Sequence, residues 1–269
     1  MSIPTATAPL TVVLVHGAFA DASGWNGVIE RLQARGIEVT APPNPLRGIS
    51  FDSAYIASVF GQIPGPVLAV GHSYGGAVIT NAATKADNVV GVVYVAGFAP
   101  DEGERLIDIE NNSKDSVLNT ALLPRQYPTG KDGEKAVEFS INPANFRDAF
   151  AADLPTSLTR LMAATQRPIS EVAFGEPTGV PAWKSKPAWA VITTGDKTIG
   201  ADAVRFMANR SGAKITEVDG SHVIMISKPD VVTEVILTAI EETSAEAAAA
   251  RRTRAPAERS DVREERLQL

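Results

Sequence analysis

The stretch that most constrains the fold of this chain is residues 67–76, with the sequence VLAVGHSYGG. A short apolar run, typical of a buried strand, is followed at once by a Gly-x-Ser-x-Gly motif, and an apolar helical pattern begins at Ala77. This context predicts a sharp strand-to-helix turn with Ser73 at its apex in a strained backbone conformation. Gly71 and Gly75 flank Ser73 because a Cβ atom at either position would collide with the neighbouring strand or helix. The turn would lift the Ser73 hydroxyl above the edge of the sheet, where a nucleophile is needed.

Two other readings of these glycines fail on single residues. The spacing from Gly71 to Gly76 matches a phosphate-binding loop, but Ala77 and Val78 occupy the positions where that loop needs Lys and Ser or Thr. A dinucleotide-binding motif would require glycine at position 73. Gly-x-Ser-x-Gly also recurs by chance, so the flanking strand and helix are what favour a catalytic serine.

Composition excludes several classes of function. A chain of 269 residues can bury one large core, and its net charge of −6 with a pI near 5.2 argues against nucleic acid as a partner. Without cysteine there is no thiolate nucleophile, no thiolate metal site and no disulfide. No signal peptide and no apolar run of about 18 residues is recognised, so we expect a cytoplasmic protein with no membrane partner. The sequence does not predict the oligomeric state.

Strand patterns alternate with helical patterns along most of the chain, which predicts an α/β fold with a doubly wound, mainly parallel sheet of about six strands. A helix is expected from Asp52, with Asp52 as its N-cap, and the last helix from Pro229. The six predicted strands cover residues 10–15, 37–41, 67–70, 89–96, 189–193 and 214–218.

The alternation stops between residues 99 and 186, a proline-rich stretch with two short helical patterns. It is interpreted as a cap or lid inserted over the strand ends, and the alternative is a peripheral subdomain without a gating role. The α/β core would then consist of residues 10–98 and 187–243. Residues 1–9 are expected to be flexible, and residues 244–269 to form a charged tail that is disordered or a frayed helix.

A serine nucleophile needs a neighbouring base, and the chain has three histidines. His72 is adjacent to Ser73 on the turn, so its side chain should point away from the hydroxyl. His16 ends the first strand and is expected to hydrogen-bond within its own loop. His222 lies between the last strand and the last helix and is left as the base by elimination and by position.

Asp196 is the predicted acid that orients His222. It follows the strand at residues 189–193, and His222 follows the next strand, at residues 214–218, so both residues lie at the same edge of a parallel sheet. The order Ser73, Asp196, His222 is also the order expected for this arrangement. Asp101 follows another strand end and stays open as an alternative. Asp219 is interpreted as a turn residue of the histidine loop.

Two backbone N–H groups are predicted to hold a developing oxyanion. One belongs to Tyr74, the residue after the nucleophile. The other lies in the loop after the first strand, where Gly17 allows close approach of the backbone, and Ala18 is preferred over Phe19.

These residues together resemble the α/β-hydrolase superfamily, and more closely its branch of methyl-salicylate-type esterases and hydroxynitrile lyases. The resemblance spans about residues 10–240 and is weak across the insertion. In that branch the lyases carry threonine where this chain has Gly17, and lysine where it has Val223, so the resemblance implies ester hydrolysis. It rests on four motifs: His16-Gly17-Ala18, Gly71-His72-Ser73-Tyr74-Gly75-Gly76, Gly195-Asp196 and Gly220-Ser221-His222.

The predicted function is therefore hydrolysis of a small carboxylic ester by a Ser73–His222–Asp196 triad, without a metal or an organic cofactor. Phe19, Phe98 and Trp183 are the expected apolar walls of the substrate site. A cofactor-free perhydrolase or haloperoxidase could use the same three side chains. A slow-turnover receptor on the same fold is the third possibility.

Overall fold

The protein is described by a computed structural model of residues 8–265. The predicted flexible segment 1–9 therefore lies almost entirely outside the described residues, as do residues 266–269 of the predicted tail. The division of the chain into a core, an insertion and a tail stays a prediction. None of the helices within residues 8–265 is long and apolar enough to cross a membrane.

The structure has nine strands among the described residues. In chain order they are β1 (Thr11–Val15), β2 (Glu38–Thr40), β3 (Val67–His72), β4 (Val89–Val95), β5 (Leu122–Pro128), β6 (Lys135–Ile141), β7 (Ile169–Ser170), β8 (Ala188–Thr193) and β9 (Lys214–Val218). Six of them form one parallel sheet in the order β2-β1-β3-β4-β8-β9, and three form a separate antiparallel sheet in the order β5-β6-β7. The predicted doubly wound sheet of about six strands is confirmed.

The helices fall into two groups, those that flank the large sheet and those that belong to the insertion. The flanking helices before the insertion are α1 (Asn26–Gln33), α2 (Ile49–Gly61) and α3 (Tyr74–Ala82). The insertion contributes α4 (Leu106–Asn112), α5 (Leu118–Ala121), α6 (Phe146–Phe150), α7 (Thr156–Thr165) and α8 (Glu171–Gly175). The flanking helices after the insertion are α9 (Ala201–Arg210), α10 (Ile224–Ser227) and α11 (Pro229–Glu265).

The strand order reverses once, and the reversal decides where a ligand can bind. The chain passes from β1 outward to the edge strand β2, then returns past β1 to β3 and continues in that direction to β9. Because such crossovers are right-handed, the reversal places α1 and α2 on opposite faces of the sheet. Ligands of open α/β sheets bind at the carboxyl ends of the strands at this switch point, which here is the crevice between β1 and β3.

Residues 99–186, which we call the cap, lie against the carboxyl edge of the large sheet. Their backbone is hydrogen-bonded to loops that follow three of its strands. These bonds run from Phe19 N–H to the Arg167 carbonyl (3.0 Å), from Ser170 N–H to the Leu46 carbonyl (2.9 Å) and from Val117 N–H to the Lys197 carbonyl (2.9 Å). These residues thus lie at the carboxyl ends of the strands, and their role as a cap or lid stays a prediction.

The antiparallel sheet of the cap is absent from the sequence-based prediction. Pro124 and Pro128 both lie in β5, and proline within a run argues against a strand. The structure places β5 at the edge of its sheet, where a residue without an N–H is tolerated. Local sequence rules therefore miss this strand because they do not know its position in the sheet.

The predicted helix cap at Asp52 is wrong, since α2 begins at Ile49 after Gly48, which has a φ of 152°. Asp52 lies in the first turn, and its buried carboxylate accepts hydrogen bonds from the N–H of Arg47 (3.0 Å) and from the Tyr74 hydroxyl (2.7 Å). The residue that looked like a local cap instead connects the start of α2 to the start of α3.

Gly75 should tolerate no side chain, because a Cβ there would lie 2.3 Å from the Val15 carbonyl oxygen. We expect Gly75→Ala to lower the free energy of unfolding by about 3 kcal/mol through overpacking. Gly61, the last residue of α2, has no atom within 4 Å of an added Cβ. Gly61→Ala is the control and should be neutral or stabilising by up to about 1 kcal/mol. Urea unfolding of both variants measures this, and equal stability of the two would contradict the packing argument.

Candidate active site

Ser73 occupies a strained turn between β3 and α3, with φ 54° and ψ −126°. Residues other than glycine seldom adopt this conformation, and it persists only where the surroundings enforce it. The enforcement comes from backbone contact: a Cβ on Gly71 would lie 2.5 Å from the Gly75 carbonyl oxygen, and one on Gly76 would lie 2.5 Å from the Phe98 carbonyl oxygen. The predicted strain and the predicted reason for the flanking glycines are both present.

The loop after β1 lies directly on the serine. A Cβ on Gly17 would come 2.5 Å from the Ser73 Cβ and 3.1 Å from its Oγ. His16 anchors this loop, since its Nε2 accepts the Asn44 N–H at 2.9 Å and its Nδ1 therefore carries the proton that it donates to the Gly17 carbonyl at 2.9 Å. Burial lowers the pKa of His16 to about 4, so the ring is neutral and structural, as expected.

Two backbone N–H groups next to Ser73 are free to bind a ligand. Neither the Ala18 N–H nor the Tyr74 N–H has an acceptor within residues 8–265. The Phe19 N–H, by contrast, is used by the Arg167 carbonyl of the cap at 3.0 Å. The preference for Ala18 over Phe19 is therefore consistent with the hydrogen bonding.

His222 and Asp196 form a buried pair, with 1% of each residue exposed. The Nδ1–H of His222 donates to Asp196 Oδ2 at 2.8 Å. The other oxygen, Oδ1, accepts the N–H groups of Thr198 (2.8 Å) and Ile199 (3.1 Å), so the loop after β8 orients the carboxylate. This arrangement leaves the His222 Nε2 as a proton acceptor.

The Nε2 of His222 is buried and has no hydrogen-bond partner among the described residues. No hydrogen bond joins it to Ser73 Oγ, and Ser73 itself is 4% exposed. Such bonds are often long without a ligand and tighten when the substrate is bound. The structure thus provides an enclosed serine and a histidine with an unused acceptor nitrogen.

His72 supports His222 rather than Ser73. Its Nε2 donates to the carbonyl oxygen of His222 at 3.0 Å, and the two ring centroids are 4.7 Å apart. Burial first, and then the neighbouring His222 ring, lower the pKa of His72 well below its ordinary value. The side chain is a neutral donor that holds the backbone of the histidine loop.

The two competing carboxylates are engaged elsewhere. Asp101 forms an ion pair with Lys184 at 2.6 Å, and this hydrogen bond lowers the pKa of Asp101. Asp219 Oδ1 accepts a long hydrogen bond, at 3.4 Å, from Oγ1 of Thr194 in the loop after β8. The role of Asp219 as a turn residue of its own loop stays a prediction. Among the three candidates, the described contacts place Asp196 alone against the His222 ring.

Residues 12–235 match the model of the alpha/beta hydrolase family. The chain belongs to the alpha/beta hydrolase family. This confirms the family predicted from the four motifs.

Solved structures with the same fold align with 86–88% of this chain. Polyneuridine aldehyde esterase is 21% identical with a TM-score of 0.72, covering 86% of this chain and 99% of that chain. The Arabidopsis methylesterase MES16 is 20% identical with a TM-score of 0.71, covering 86% and 99%. A variant of tomato methylketone synthase I is 19% identical with a TM-score of 0.72, covering 88% and 99%. A search of curated proteins finds no match. At these identities the likeness shows the fold, and the chemistry has to be argued from the site.

Phe150 of the cap helix α6 is a site residue that the sequence analysis missed. Its ring centroid lies 5.3 Å from that of His222 and 6.1 Å from that of Phe19, which meets it edge-on at 87°. The helix itself is predicted from its pattern, but no local signal shows that its last residue contacts His222.

The three predicted wall residues are placed differently. Phe19 and Phe98 are both 2% exposed; the Phe19 ring contacts that of Phe150, and the Phe98 backbone N–H donates to the Ser73 carbonyl at 3.1 Å. The indole N–H of Trp183 donates to the Pro100 carbonyl at 3.1 Å. Within the described residues, no hydrogen bond or ring contact joins Trp183 to Ser73 or His222.

A cleft of about 330 Å³ opens beside Phe19, between α7 of the cap and the residues around α1 and α10. Asp21 is the one charged residue in its lining. Phe19 is shared between this cleft and the aromatic cluster around His222. The apolar wall consists of Phe19, Leu158, Met162, Met225 and Ile226.

Glu110 of α4 is a buried acid near Asp196. Ser116 Oγ lies 2.7 Å both from Glu110 Oε2 and from the Thr198 carbonyl oxygen. A hydroxyl has one proton and the carbonyl can only accept it, so Glu110 has to be protonated to donate to Ser116. Burial, with a further contribution from Asp196, raises the pKa of Glu110 to about 8.

This titration makes stability depend on pH. The folded protein keeps the Glu110 proton up to about pH 8, whereas the unfolded chain releases it near the ordinary pKa of 4.5. Unfolding therefore releases a proton within this window, and the free energy of unfolding falls as pH rises through it. Glu110→Gln removes the titration, so its stability relative to the wild type should increase by roughly 3 kcal/mol from pH 5 to pH 8.

Urea unfolding at several pH values measures the difference, with Glu102→Gln at an exposed position as the control. A difference between Glu110→Gln and the wild type that does not change with pH would contradict the assignment of a buried, protonated acid.

Proposed function

We propose that the protein is a serine hydrolase that cleaves a small carboxylic ester through an acyl-enzyme intermediate. The observation that carries the proposal is the state of His222. Its Nδ1–H donates to Asp196 at 2.8 Å while its buried Nε2 has no partner. A histidine held in this tautomer by a carboxylate is the base that activates a serine hydroxyl.

In the first half of the reaction, Ser73 Oγ attacks the ester carbonyl carbon and His222 Nε2 takes the hydroxyl proton. The N–H groups of Ala18 and Tyr74 stabilise the oxyanion that develops. His222 then gives the proton to the alkoxy oxygen, the carbon–oxygen bond breaks and the alcohol leaves. Asp196 keeps the ring oriented and stabilises the imidazolium while it carries two protons.

In the second half, a water molecule replaces the alcohol. His222 Nε2 takes a proton from this water as its oxygen attacks the acyl carbon, and it returns the proton to Ser73 Oγ as the acyl bond breaks. The carboxylic acid is released and Ser73 is regenerated. The proposed steps use side chains and backbone of this chain with water as the co-substrate.

Two features favour ester hydrolysis over lyase chemistry. The lyases of the resembling branch place threonine at the position of Gly17, but an added Cβ there would lie 2.5 Å from the Ser73 Cβ. The position after the histidine is Val223, which is fully buried and has no proton to give. The loop after β1 as folded here therefore has no room for a side chain at position 17, and position 223 carries no lysine.

The cleft beside Phe19 supports a neutral, apolar substrate. Its wall is largely apolar and its one charged lining residue, Asp21, is acidic, which disfavours an anionic ligand. Ring contacts from Phe19 to Phe150 and from Phe150 to His222 connect the wall of this cleft to the proposed base. We expect the acyl or alcohol group of the ester to occupy the cleft.

Ser73→Ala should abolish labelling by a fluorophosphonate probe and lower kcat on 4-nitrophenyl acetate by at least about 10³-fold, because it removes the proposed nucleophile and the neighbouring Tyr74 hydroxyl is bound to Asp52. Ser58→Ala, at an exposed position of α2, is the control and should label like the wild type. Equal labelling of Ser73→Ala and the wild type would remove Ser73 as the nucleophile.

The same assay separates the alternatives. A perhydrolase or haloperoxidase would need hydrogen peroxide for efficient turnover, and a receptor would be labelled by the probe while releasing ester product slowly. Butyrate and octanoate esters, compared with acetate, measure how long an apolar group the site accepts.

Asp196→Asn should lower kcat/KM by about 10²–10⁴-fold, because the amide cannot stabilise the imidazolium and favours the wrong tautomer. Asp101→Asn should stay within about 3-fold of the wild type, since its partner is Lys184. A collapse of the rate in Asp101→Asn with little change in Asp196→Asn would reverse the assignment of the acid.

A further inference from the structure

The cap touches the histidine loop through a carboxylate that the reaction itself does not use. Asp153, between α6 and α7, accepts two hydrogen bonds from Ser221, the residue before His222. The Ser221 N–H donates to Oδ2 at 3.0 Å, and the Ser221 hydroxyl donates to Oδ1 in a short hydrogen bond. Ser221 is 4% exposed, whereas Asp153 is exposed to solvent, so the carboxylate contacts a buried loop from the surface.

The same stretch of the cap also touches the loop that carries the acid. Thr198 Oγ1 donates to the Ala149 carbonyl at 2.7 Å, and the Thr198 N–H donates to Asp196 at 2.8 Å. Phe150, one residue further, lies with its ring 5.3 Å from His222. Residues 149–153 therefore contact both loops of the Asp196–His222 pair.

Asp153 accepts hydrogen bonds from Ser221 on both of its carboxylate oxygens. Burial opposes its ionisation, but the hydrogen bonds from Ser221 outweigh burial and lower the pKa of Asp153. An ionised carboxylate has no proton and accepts on both oxygens, so it accepts both donors of Ser221 at once. The carboxylate also lies close to the backbone of this loop, since a Cβ on Gly220 would lie 3.2 Å from Asp153 Oδ2.

We propose that Asp153 is a positioning residue for His222: by holding both donors of Ser221, it fixes the loop that carries the base. Displacement of a catalytic group by about 1 Å can cost about 10²-fold in rate. The inference rests on the proposed function, and it adds to it that the cap supplies part of the catalytic geometry.

Asp153→Ala leaves both Ser221 donors without their acceptor. We expect kcat to fall by about 10–100-fold with KM within about 3-fold of the wild type, on 4-nitrophenyl acetate and per site titrated by the fluorophosphonate probe. Asp153→Asn should restore most of the rate, because its amide oxygen accepts the Ser221 N–H and its NH₂ donates to the Ser221 hydroxyl. Asp148→Ala, at an exposed aspartate of α6, is the control and should keep the wild-type rate.

Normalising to titrated sites separates positioning from folding. If Asp153→Ala loses titratable sites or melts earlier while kcat per site stays at the wild-type level, the contact is structural and the proposal is wrong. A wild-type kcat per site in Asp153→Ala at unchanged stability would overturn it as well.

A second measurement does not depend on ester turnover. The low-field proton NMR signal of His222 Nδ1–H should shift or broaden in Asp153→Ala and return in Asp153→Asn. Should the wild type hydrolyse no ester, the proposed function fails while this signal still tests the positioning of His222. An unchanged signal in Asp153→Ala would refute the positioning role.

Discussion

The site depends on one close contact between backbones, in which the first turn of α3 lies against the end of β1 with no side chain between them. A Cβ on Gly75 would lie 2.3 Å from the Val15 carbonyl oxygen, so the contact exists because that position has none. It brings the turn at Ser73 and the loop at Gly17 together at the switch point of the sheet. Packing of the main chain thereby places Ser73 and the two free N–H groups, and backbone N–H groups lose no side-chain entropy when a ligand binds. The same packing enforces the strained conformation of Ser73.

His222 is held differently from Ser73, by four contacts from three segments of the chain. His72 binds its carbonyl, Asp196 binds its Nδ1, Phe150 lies against its ring, and Asp153 holds the preceding residue. None of these contacts uses Nε2. The imidazole ring of His222 is therefore held in place before a ligand binds, and its Nε2 stays available as an acceptor. Less reorganisation is then needed when a substrate binds.

The parts of this arrangement that sequence predicts are those encoded in short segments. The mainly parallel sheet of about six strands and the turn at Ser73 follow from local patterns, and the pairing of Asp196 with His222 follows from the rule that parallel strands end at one edge. The failures involve contacts between distant segments. Asp52 has the sequence context of a cap but binds Tyr74 across the fold, and Trp183 binds the Pro100 carbonyl at 3.1 Å. Phe150 and Asp153 reach His222 and Ser221 from the cap, and no spacing rule connects an insertion to a particular loop of the core.

The contacts of residues 149–153 also limit how a ligand can reach Ser73. Lifting this part of the cap would break the bonds to Thr198 and Ser221 and release both loops that carry the ionisable pair. An opening there would admit a molecule to a site that had lost its base. We expect a ligand to enter instead at the other side of the cap, where α7 faces Phe19 across an apolar cleft. If it does, residues 149–153 would stay in place during turnover, and the cleft beside α7 would select what enters.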